Sequence, residues 1–252
     1  MQNNTQTQIC GIKIDNLSME EVLFQIAVLI ERNEPQFIVT PNVDHIVKLQ
    51  KDEDFRKVYD AAALILADGV PLLWASKFLG NPLREKISGS DLFPAVACFS
   101  AQKGYKLFFL GGREGAADIA RDVLVQEFPG LNVVGTYCPS FGFEHDDDEN
   151  RKIIDKIRTV KPNILFVGLG APKQEKWISK YYKELDVPVS IGIGVTFEFI
   201  SGIVRRAPVW MQKSGLEWFW RLLMEPKKLW KRYLIDDALF FWLILKQKFG
   251  SL

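Results

Sequence analysis

The sequence predicts an α/β fold in which flanking helices cover a mostly parallel sheet. Between residues 35 and 200, short apolar runs alternate with longer amphipathic stretches, the pattern of strands joined by crossover helices. With 252 residues, 48% of them hydrophobic, the chain can bury a large core. After about residue 202 the composition changes, because five of the seven tryptophans crowd there among lysines and arginines. We therefore predict a core at residues 1–202 and a small helical C-terminal appendage at residues 203–252.

Each predicted strand is a short apolar run that ends near small or polar residues. The strands are predicted at residues 36–40, 64–67, 106–110, 132–136, 163–168 and 189–194. The helices are predicted at residues 18–32, 44–61, 90–102, 115–128, 150–161 and 173–185. Ligands of open parallel sheets bind at the carboxyl ends of the strands, so the loops that follow these strands form the candidate site.

The appendage combines aromatic side chains with an excess of positive charge. Ten lysines and arginines and four acidic residues lie at positions 205–252, although the net charge of the whole chain is only +1. Pro208 and Pro226 predict breaks between short helices. This composition is typical of helices at a lipid surface, although a basic subdomain packed on the core would share it. The predicted membrane-docking residues are Trp218, Lys228, Lys231 and Arg232.

Composition disfavours several classes of protein. The near-neutral charge gives no reason to expect a nucleic-acid partner. Cys10, Cys98 and Cys138 are too scattered for a disulfide framework, and the N-terminal stretch lacks the apolar segment of a secretory signal. No apolar run is long enough to span a bilayer. We expect a cytoplasmic protein that lies on the membrane without crossing it.

Two glycines follow the third predicted strand. Gly111 and Gly112 precede a predicted helix, so free backbone amides there can bind phosphate, although a tight turn would need the same glycines. A dinucleotide-binding fold would also need an acidic residue at the end of the next strand, where this chain has Thr136 and Tyr137. The pattern disfavours an NAD-dependent dehydrogenase and leaves a nucleotide diphosphate open.

Polar side chains also follow the first two predicted strands. Thr40 and Asn42 come after the first strand, and Asp68 comes after the second. A carboxylate near apolar walls can have a raised pKa and act as a base. A helix cap at Asn42 or Asp44 and a simple turn at Asp68 are the structural alternatives.

The last two predicted strands lead into further polar residues. Gln174 opens the helix after the fifth strand and can face a polar ligand, while Glu175 can complement the helix dipole. Thr196 and Glu198 are expected on one face of the last strand if that strand continues, with Phe197 as a packing residue.

The acidic run at residues 146–149 contains the D-x-D pattern that many sugar-nucleotide enzymes use to bind a cation. It precedes a predicted helix, so an N-terminal cap is the favoured interpretation. His45 and His145 lack neighbouring ligands at metal-site spacing and are expected to be packing or surface residues. We predict no metal site and no cofactor.

Seven segments occur in order along nearly the whole chain. They are TPNVDH (40–45), ADG (67–69), GSDL (89–92), FFLGG (108–112), VGLGAPKQEKWI (167–178), RRAPVWMQKSGLEWFWRLLMEP (205–226) and KRYL (231–234). Together they resemble the WecG/TagA/CpsF family of bacterial glycosyltransferases. The resemblance implies an inverting, metal-independent transferase with a Rossmann-like core of the type called GT-E. In that family the appendage docks on the membrane and completes the active site.

The resemblance also implies roles for individual residues. By position, Asp68 would be the general base. Thr40, Asn42 and Gln174 would line the substrate pocket, and Arg221 would reach the donor diphosphate from the appendage.

Two positions depart from the family's usual residues. Family members commonly have Arg where Lys86 stands and Asp where Glu198 stands. Lysine keeps the charge but lacks the bidentate fork that arginine offers to a phosphate. The remaining candidate substrate-binding residues are Gly111, Gly112 and Tyr137.

The resemblance therefore implies transfer of a sugar from a UDP-sugar to an undecaprenyl-diphosphate-linked sugar, in teichoic-acid or other cell-surface polysaccharide synthesis. The enzyme would lie peripherally on the inner face of the cell membrane. N-acetylmannosamine is the family's best-known donor sugar, and glucose, mannose or a uronic acid stay open. A noncatalytic, membrane-docked nucleotide-binding module is the alternative, and homo-oligomer formation is also open.

Overall fold

The computed structural model describes residues 5–231 and 238–250, except for the side chain of Lys228. An antiparallel hairpin comes first, formed by β1 (Gln6–Ile9) and β2 (Ile12–Asp15). The main sheet consists of β3 (Gln36–Val39), β4 (Leu64–Ile65), β5 (Lys106–Gly111), β6 (Asn132–Tyr137), β7 (Ile164–Gly168) and β8 (Val189–Gly192). All its strand pairs are parallel, and the order across the sheet is β4-β3-β8-β7-β5-β6. The predicted α/β fold is confirmed.

Helices cover both faces of the sheet. In the core they are α1 (Met19–Arg32), α2 (Val43–Lys48), α3 (Glu53–Ala61), α4 (Val70–Leu79), α5 (Gly89–Lys103), α6 (Ala116–Glu127), α7 (Asp147–Val160), α8 (Lys173–Leu185) and α9 (Thr196–Ile200). The appendage contains α10 (Val209–Ser214), α11 (Glu217–Met224), α12 (Pro226–Lys231) and α13 (Ala238–Lys248). Helices α1, α5, α6 and α9 share one hydrophobic cluster with the sheet, while α2, α3, α4, α7, α8 and α13 share the other. Within the described ranges, no helix combines the length and the apolar character needed to cross a membrane.

Strand side chains alternate between these two clusters. In β5, Leu107 and Phe109 face one cluster, whereas Phe108 and Leu110 face the other. All four are at most 3% exposed, so β5 is buried on both faces, as expected for a parallel sheet between two helical layers.

The β1–β2 hairpin and α13 protect one edge of the sheet, and neither was predicted as a discrete element. The Asp15 carboxylate accepts a hydrogen bond from the Ile65 amide at 2.8 Å, which ties the hairpin to edge strand β4. Gln247 in α13 accepts a hydrogen bond from the Cys10 amide at 2.7 Å. The hairpin thus satisfies a backbone amide on the outer side of β4, which makes this edge less open to pairing with another strand.

Three local predictions are corrected. The helix predicted at 44–61 is two helices, because Asp52 caps α3 by accepting a hydrogen bond from the Phe55 amide at 2.9 Å. The last strand ends at Gly192, and residues 196–200 form α9, so Thr196 and Glu198 do not lie on a strand. Helix α4 was not predicted, because its outward face is apolar as well as its buried face.

Candidate active site

The loops after β4, β3 and β8 converge at the carboxyl edge of the sheet. The Asp68 amide donates to the Pro41 carbonyl at 2.8 Å, which fixes these two loops side by side. The Thr40 hydroxyl lies 3.5 Å from the Gly192 carbonyl of the adjacent strand. The structure therefore brings the loops that carry Thr40 and Asp68 together at this edge of the sheet.

Asp68 has the electrostatic surroundings of a base. Its side chain is half-buried, and no described residue donates a hydrogen bond to its carboxylate. Burial raises the pKa of Asp68 to about 7, against the opposing effect of Lys86. The nearby carboxylates Glu217 and Asp91 add to the increase, and Arg221 opposes it. At neutral pH this carboxyl can both take and release a proton.

Asp91 organises the cations beside the base. It lies in the first turn of α5 and accepts hydrogen bonds from Lys86 Nζ at 2.5 Å, Ser88 Oγ at 2.7 Å and a terminal guanidinium nitrogen of Arg206 at 2.6 Å. Burial alone would raise the pKa of Asp91, but these hydrogen bonds outweigh it and lower that pKa. Arg206 also contacts Glu217 at 3.2 Å, so two cations and two carboxylates join the core to the appendage.

The appendage lies against the site at a second point. Arg113, in the loop after β5, pairs with Glu225 of α11's C-terminal end at 3.5 Å. Arg221 lies one turn earlier, close enough to Asp68 to influence its pKa. Among the described carboxylates, none lies within ion-pair distance of Arg221.

Gln174 joins the loops after β7 and β8. Its side-chain oxygen accepts hydrogen bonds from the amides of Gly170 at 3.2 Å and Gly194 at 3.0 Å, and its nitrogen donates to Glu175 at 2.7 Å. A Cβ on Gly192 would lie only 2.8 Å from that nitrogen. Gln174 is thus a buried side chain that ties these two loops together, with both ends of its amide already bonded to protein.

Glu175 is an acid inside the protein. Its side chain is 1% exposed, and burial raises its pKa to about 7 against the hydrogen bond from Gln174. The second carboxyl oxygen has no hydrogen-bond partner in the described structure. A carboxyl group with this pKa is partly protonated at neutral pH, so it carries less negative charge toward the helix dipole than an exposed glutamate would.

Asn42 is confirmed as a helix cap. Its side-chain oxygen accepts a hydrogen bond from the His45 amide at 3.2 Å at the start of α2. It lies in the loop between β3 and α2, two positions after Thr40.

The prediction that the Gly111 and Gly112 loop presents free amides is wrong at two positions. The Gly112 amide donates to the Gly168 carbonyl at 2.7 Å, and the Arg113 amide donates to Glu198 at 3.0 Å. The glycines allow close backbone approach instead. A Cβ on Gly111 would lie 2.6 Å from the Gly168 oxygen, and the backbone there has φ +97°.

One oxygen of the buried Glu198 carboxylate lacks a hydrogen-bond partner among the described residues. The residue is 7% exposed. Phe197 is a packing residue, as predicted, and its ring lies against Gly168 and Gly112. Helix α9 thereby fixes Glu198 beside the loop after β5.

Tyr137 is not brought to Asp68. The strand order puts the two at opposite edges, five strand spacings or about 24 Å apart. The Tyr137 hydroxyl donates to Glu149, and the amines of Lys152 and Lys156 lie over its ring.

The structural interpretations of the acidic run and the histidines are confirmed. Asp146 caps α7 by accepting hydrogen bonds from two backbone amides, and His145 is exposed. His45 is buried, and its Nδ1 lies 2.6 Å from the Tyr59 hydroxyl. Over the described ranges, no three His, Cys, Asp or Glu side chains are grouped so that they could hold a metal ion.

The predicted docking residues are only partly described. Trp218 is 38% exposed and Lys231 is exposed. The Lys228 side chain and Arg232 lie outside the described residues.

Sequence analysis missed the roles of Asp91 and Arg206. Both lie in segments that carry the family resemblance, GSDL and RRAP, but their pairing spans 115 positions of the chain. The only local signal was that Asp91 lies in the first turn of a helix, five positions after Lys86. This signal does not identify Arg206 as the distant partner.

Comparison with known proteins agrees with this architecture. Residues 7–252 match the glycosyl transferase WecG/TagA/CpsF family. A Bacillus spizizenii protein is 34% identical over 205 residues, 81% of this chain and 77% of the relative. A Staphylococcus aureus protein is 29% identical over 234 residues, 91% of this chain and 87% of the relative. Both relatives are named N-acetylglucosaminyldiphosphoundecaprenol N-acetyl-beta-D-mannosaminyltransferase. Since the match spans the core, the candidate site and the appendage, the chain belongs to the WecG/TagA/CpsF family of glycosyl transferases.

Proposed function

We propose that this chain is an inverting hexosyltransferase that moves a sugar from a UDP-sugar to an undecaprenyl-diphosphate-linked sugar. The names of the two relatives favour N-acetylmannosamine as the sugar transferred and N-acetylglucosamine as the sugar that accepts it. The reaction would serve teichoic-acid or other cell-surface polysaccharide synthesis at the inner face of the membrane. The observation that carries the proposal is the Asp68 carboxyl, with a pKa of about 7 and the cations Lys86 and Arg221 nearby.

In the proposed reaction, Asp68 takes the proton of the acceptor hydroxyl. The hydroxyl oxygen then bonds to the anomeric carbon from the face opposite UDP. The bond between that carbon and the UDP oxygen breaks, so the configuration inverts. Lys86 and Arg221 stabilise the negative charge that develops on the departing diphosphate, which is the role a metal ion has in other transferases.

The donor would lie along the carboxyl edge between Asp68 and the loop after β5. The unpartnered oxygen of Glu198 supports this placement, because a buried carboxylate oxygen needs a donor such as a hydroxyl of the sugar nucleotide. Gly111 and Gly112 stay predicted contacts of the donor diphosphate, although protein atoms of Gly168 and Phe197 occupy the space beside them. Tyr137 stays a predicted contact, at the end of the edge farthest from the base.

The first experiment compares UDP release by the wild type, Asp68→Asn and Asp60→Asn. The protein is offered a panel of UDP-sugars and a short-chain lipid diphosphate bearing N-acetylglucosamine. We expect acceptor-dependent release with one donor, and a loss of about 10²–10⁴-fold for Asp68→Asn with UDP binding retained. Asp60 is an exposed aspartate on α3, so its variant controls for the change in charge.

Three outcomes would contradict parts of this proposal. UDP binding without turnover of any donor would favour the noncatalytic nucleotide-binding module. Full activity of Asp68→Asn would exclude Asp68 as the base. Strict dependence on an added divalent cation, tested with a chelator, would exclude the metal-independent reaction.

A further inference from the structure

Helix α4 carries an apolar stripe on its outer face. It begins at Val70, two positions after Asp68, and its inner face buries Leu72 and Ala75. On the outer face, Trp74 is 55% exposed and Phe78 is 46% exposed. Because residues four apart lie on the same side of a helix, these two rings form one stripe that leads away from the candidate site.

Helix α13 is apolar on both faces. Phe240, Leu243 and Ile244 are buried in the hydrophobic cluster that α13 shares with the sheet. Its outer face and C-terminal end expose Phe241, Trp242, Leu245 and Phe249. A helix that is apolar all round is normally buried in protein or in lipid. Within the described residues, the outer face of α13 has no protein cover.

The two helices form one cationic apolar surface. They pack against each other, and the Lys248 amine lies 5.5 Å from the centre of the Phe78 ring. The Lys246 amine lies 5.4 Å from the Trp242 ring, and Lys77 is exposed on α4. Neither helix contains an acidic residue. We call these exposed rings, Leu245 and the three lysines the α4–α13 surface.

We propose that the α4–α13 surface docks on an anionic lipid bilayer. A surface that exposes aromatic rings and lysines but no carboxylates is typical of proteins that insert into the headgroup layer of a negatively charged membrane. This inference rests on the proposed lipid-linked acceptor, and it extends docking from the appendage to a helix of the core.

The position of the surface also fits a bilayer. A Cβ on Gly215 would lie 3.4 Å from the Trp74 ring, so the surface borders the turn between α10 and α11. It is therefore continuous with the exposed aromatic residues of the appendage. Helix α4 starts beside Asp68, so docking through α4 would hold this end of the sheet against the membrane. The sugar diphosphate of a lipid-linked acceptor lies at the same membrane surface.

The test measures co-sedimentation of the full chain with vesicles of equal parts phosphatidylglycerol and phosphatidylcholine. We expect the double variants Trp74→Gln/Phe78→Gln and Phe241→Gln/Leu245→Gln to bind roughly tenfold more weakly than the wild type. Lys246→Gln/Lys248→Gln should lose most of its preference for these vesicles over pure phosphatidylcholine. The matched control is Phe24→Gln/Phe141→Gln, which removes two exposed rings outside the surface and should bind as the wild type does.

Two results would overturn the inference. One is wild-type vesicle binding by both aromatic double variants, with melting temperatures that show intact folding. The other is a change from dimer to monomer in light scattering, which would make the surface an interface between two copies. Vesicle binding needs no turnover, so it stays measurable if the proposed reaction fails. If the reaction holds, the aromatic variants should lose activity on a vesicle-bound acceptor and keep it on a short-chain soluble one.

Discussion

Burial changes what the Asp68 carboxylate can do at neutral pH. An ordinary aspartate is a weak base because its pKa is near 3.8, whereas burial raises that of Asp68 to about 7. The base must be deprotonated to act. We therefore expect kcat/KM for a soluble acceptor to rise about tenfold per pH unit below pH 7 and to level off above it. An acidic limb centred near pH 4 would contradict this assignment.

The raised pKa of the Glu175 carboxyl predicts that the stability of the fold depends on pH. The unfolded chain ionises this group near pH 4.5, while the folded chain keeps its proton to about pH 7. Folding stability must fall as the pH rises through that window, because the unfolded state then binds fewer protons than the folded state. Glu175→Gln removes the titrating group, and its oxygen can still accept the hydrogen bond from Gln174.

We therefore expect the free energy of unfolding of Glu175→Gln, relative to the wild type, to increase by roughly 1–3 kcal/mol between pH 5 and pH 7.5. Urea unfolding at several pH values measures this difference. Glu127→Gln, at an exposed position, is the control and should give a difference that does not change with pH. A constant difference for Glu175→Gln as well would mean that its carboxyl titrates normally.

The loop after β5 depends on two glycines for different reasons. Both Gly111 and Gly115 have positive φ, +97° and +77°. An added Cβ at Gly111 would collide with the Gly168 carbonyl at 2.6 Å, whereas at Gly115 nothing lies within 4 Å. We expect Gly111→Ala to lose roughly 3 kcal/mol or more of stability, and Gly115→Ala about 1 kcal/mol. Chemical denaturation measures the loss of unfolding free energy in each variant. If the two losses were equal, backbone strain alone would explain the glycine at position 111, and the close approach of β5 and β7 would not contribute.

Strong local signals made most of the elements predictable. The strands around Phe109 and Phe166 are apolar runs buried on both faces, and α7 has an acidic cap before a periodic apolar face. Helix α9 was missed because it has only one turn, and Phe197 and Phe199 alternate with polar residues as they would in a strand.

The site was less predictable than the fold, because tertiary contacts complete it. The loops after parallel strands identified Asp68 and Thr40, since all those loops meet at one edge. Nothing in the local sequence indicated that the Gly168 carbonyl and the Glu198 carboxylate would accept hydrogen bonds from the backbone amides after β5. Such partners depend on how strands and helices pack, which local sequence does not encode.

Across the whole molecule, ion pairs hold the appendage against the core loops that carry the candidate site. They are the pair of Arg206 with Asp91 at 2.6 Å and the pair of Arg113 with Glu225 at 3.5 Å. These contacts lie on both sides of Arg221 in the sequence. The helix that carries Arg221 is thereby anchored to the core near Asp68.

This coupling predicts that a change in the appendage alters the titration of the core. Arg221 lowers the pKa of Asp68, so Arg221→Gln should raise that pKa and move the acidic limb of the kcat/KM profile to higher pH. It should also lower the plateau of kcat/KM by about 10–100-fold, because one cation facing the leaving diphosphate is lost. Lys227→Gln removes an exposed charge from α12 and should leave the midpoint of the limb unchanged. A lower plateau with an unmoved midpoint would mean that Arg221 contacts the donor but lies too far from Asp68 to affect its proton. A midpoint that moves in both variants would point instead to a general effect of net charge.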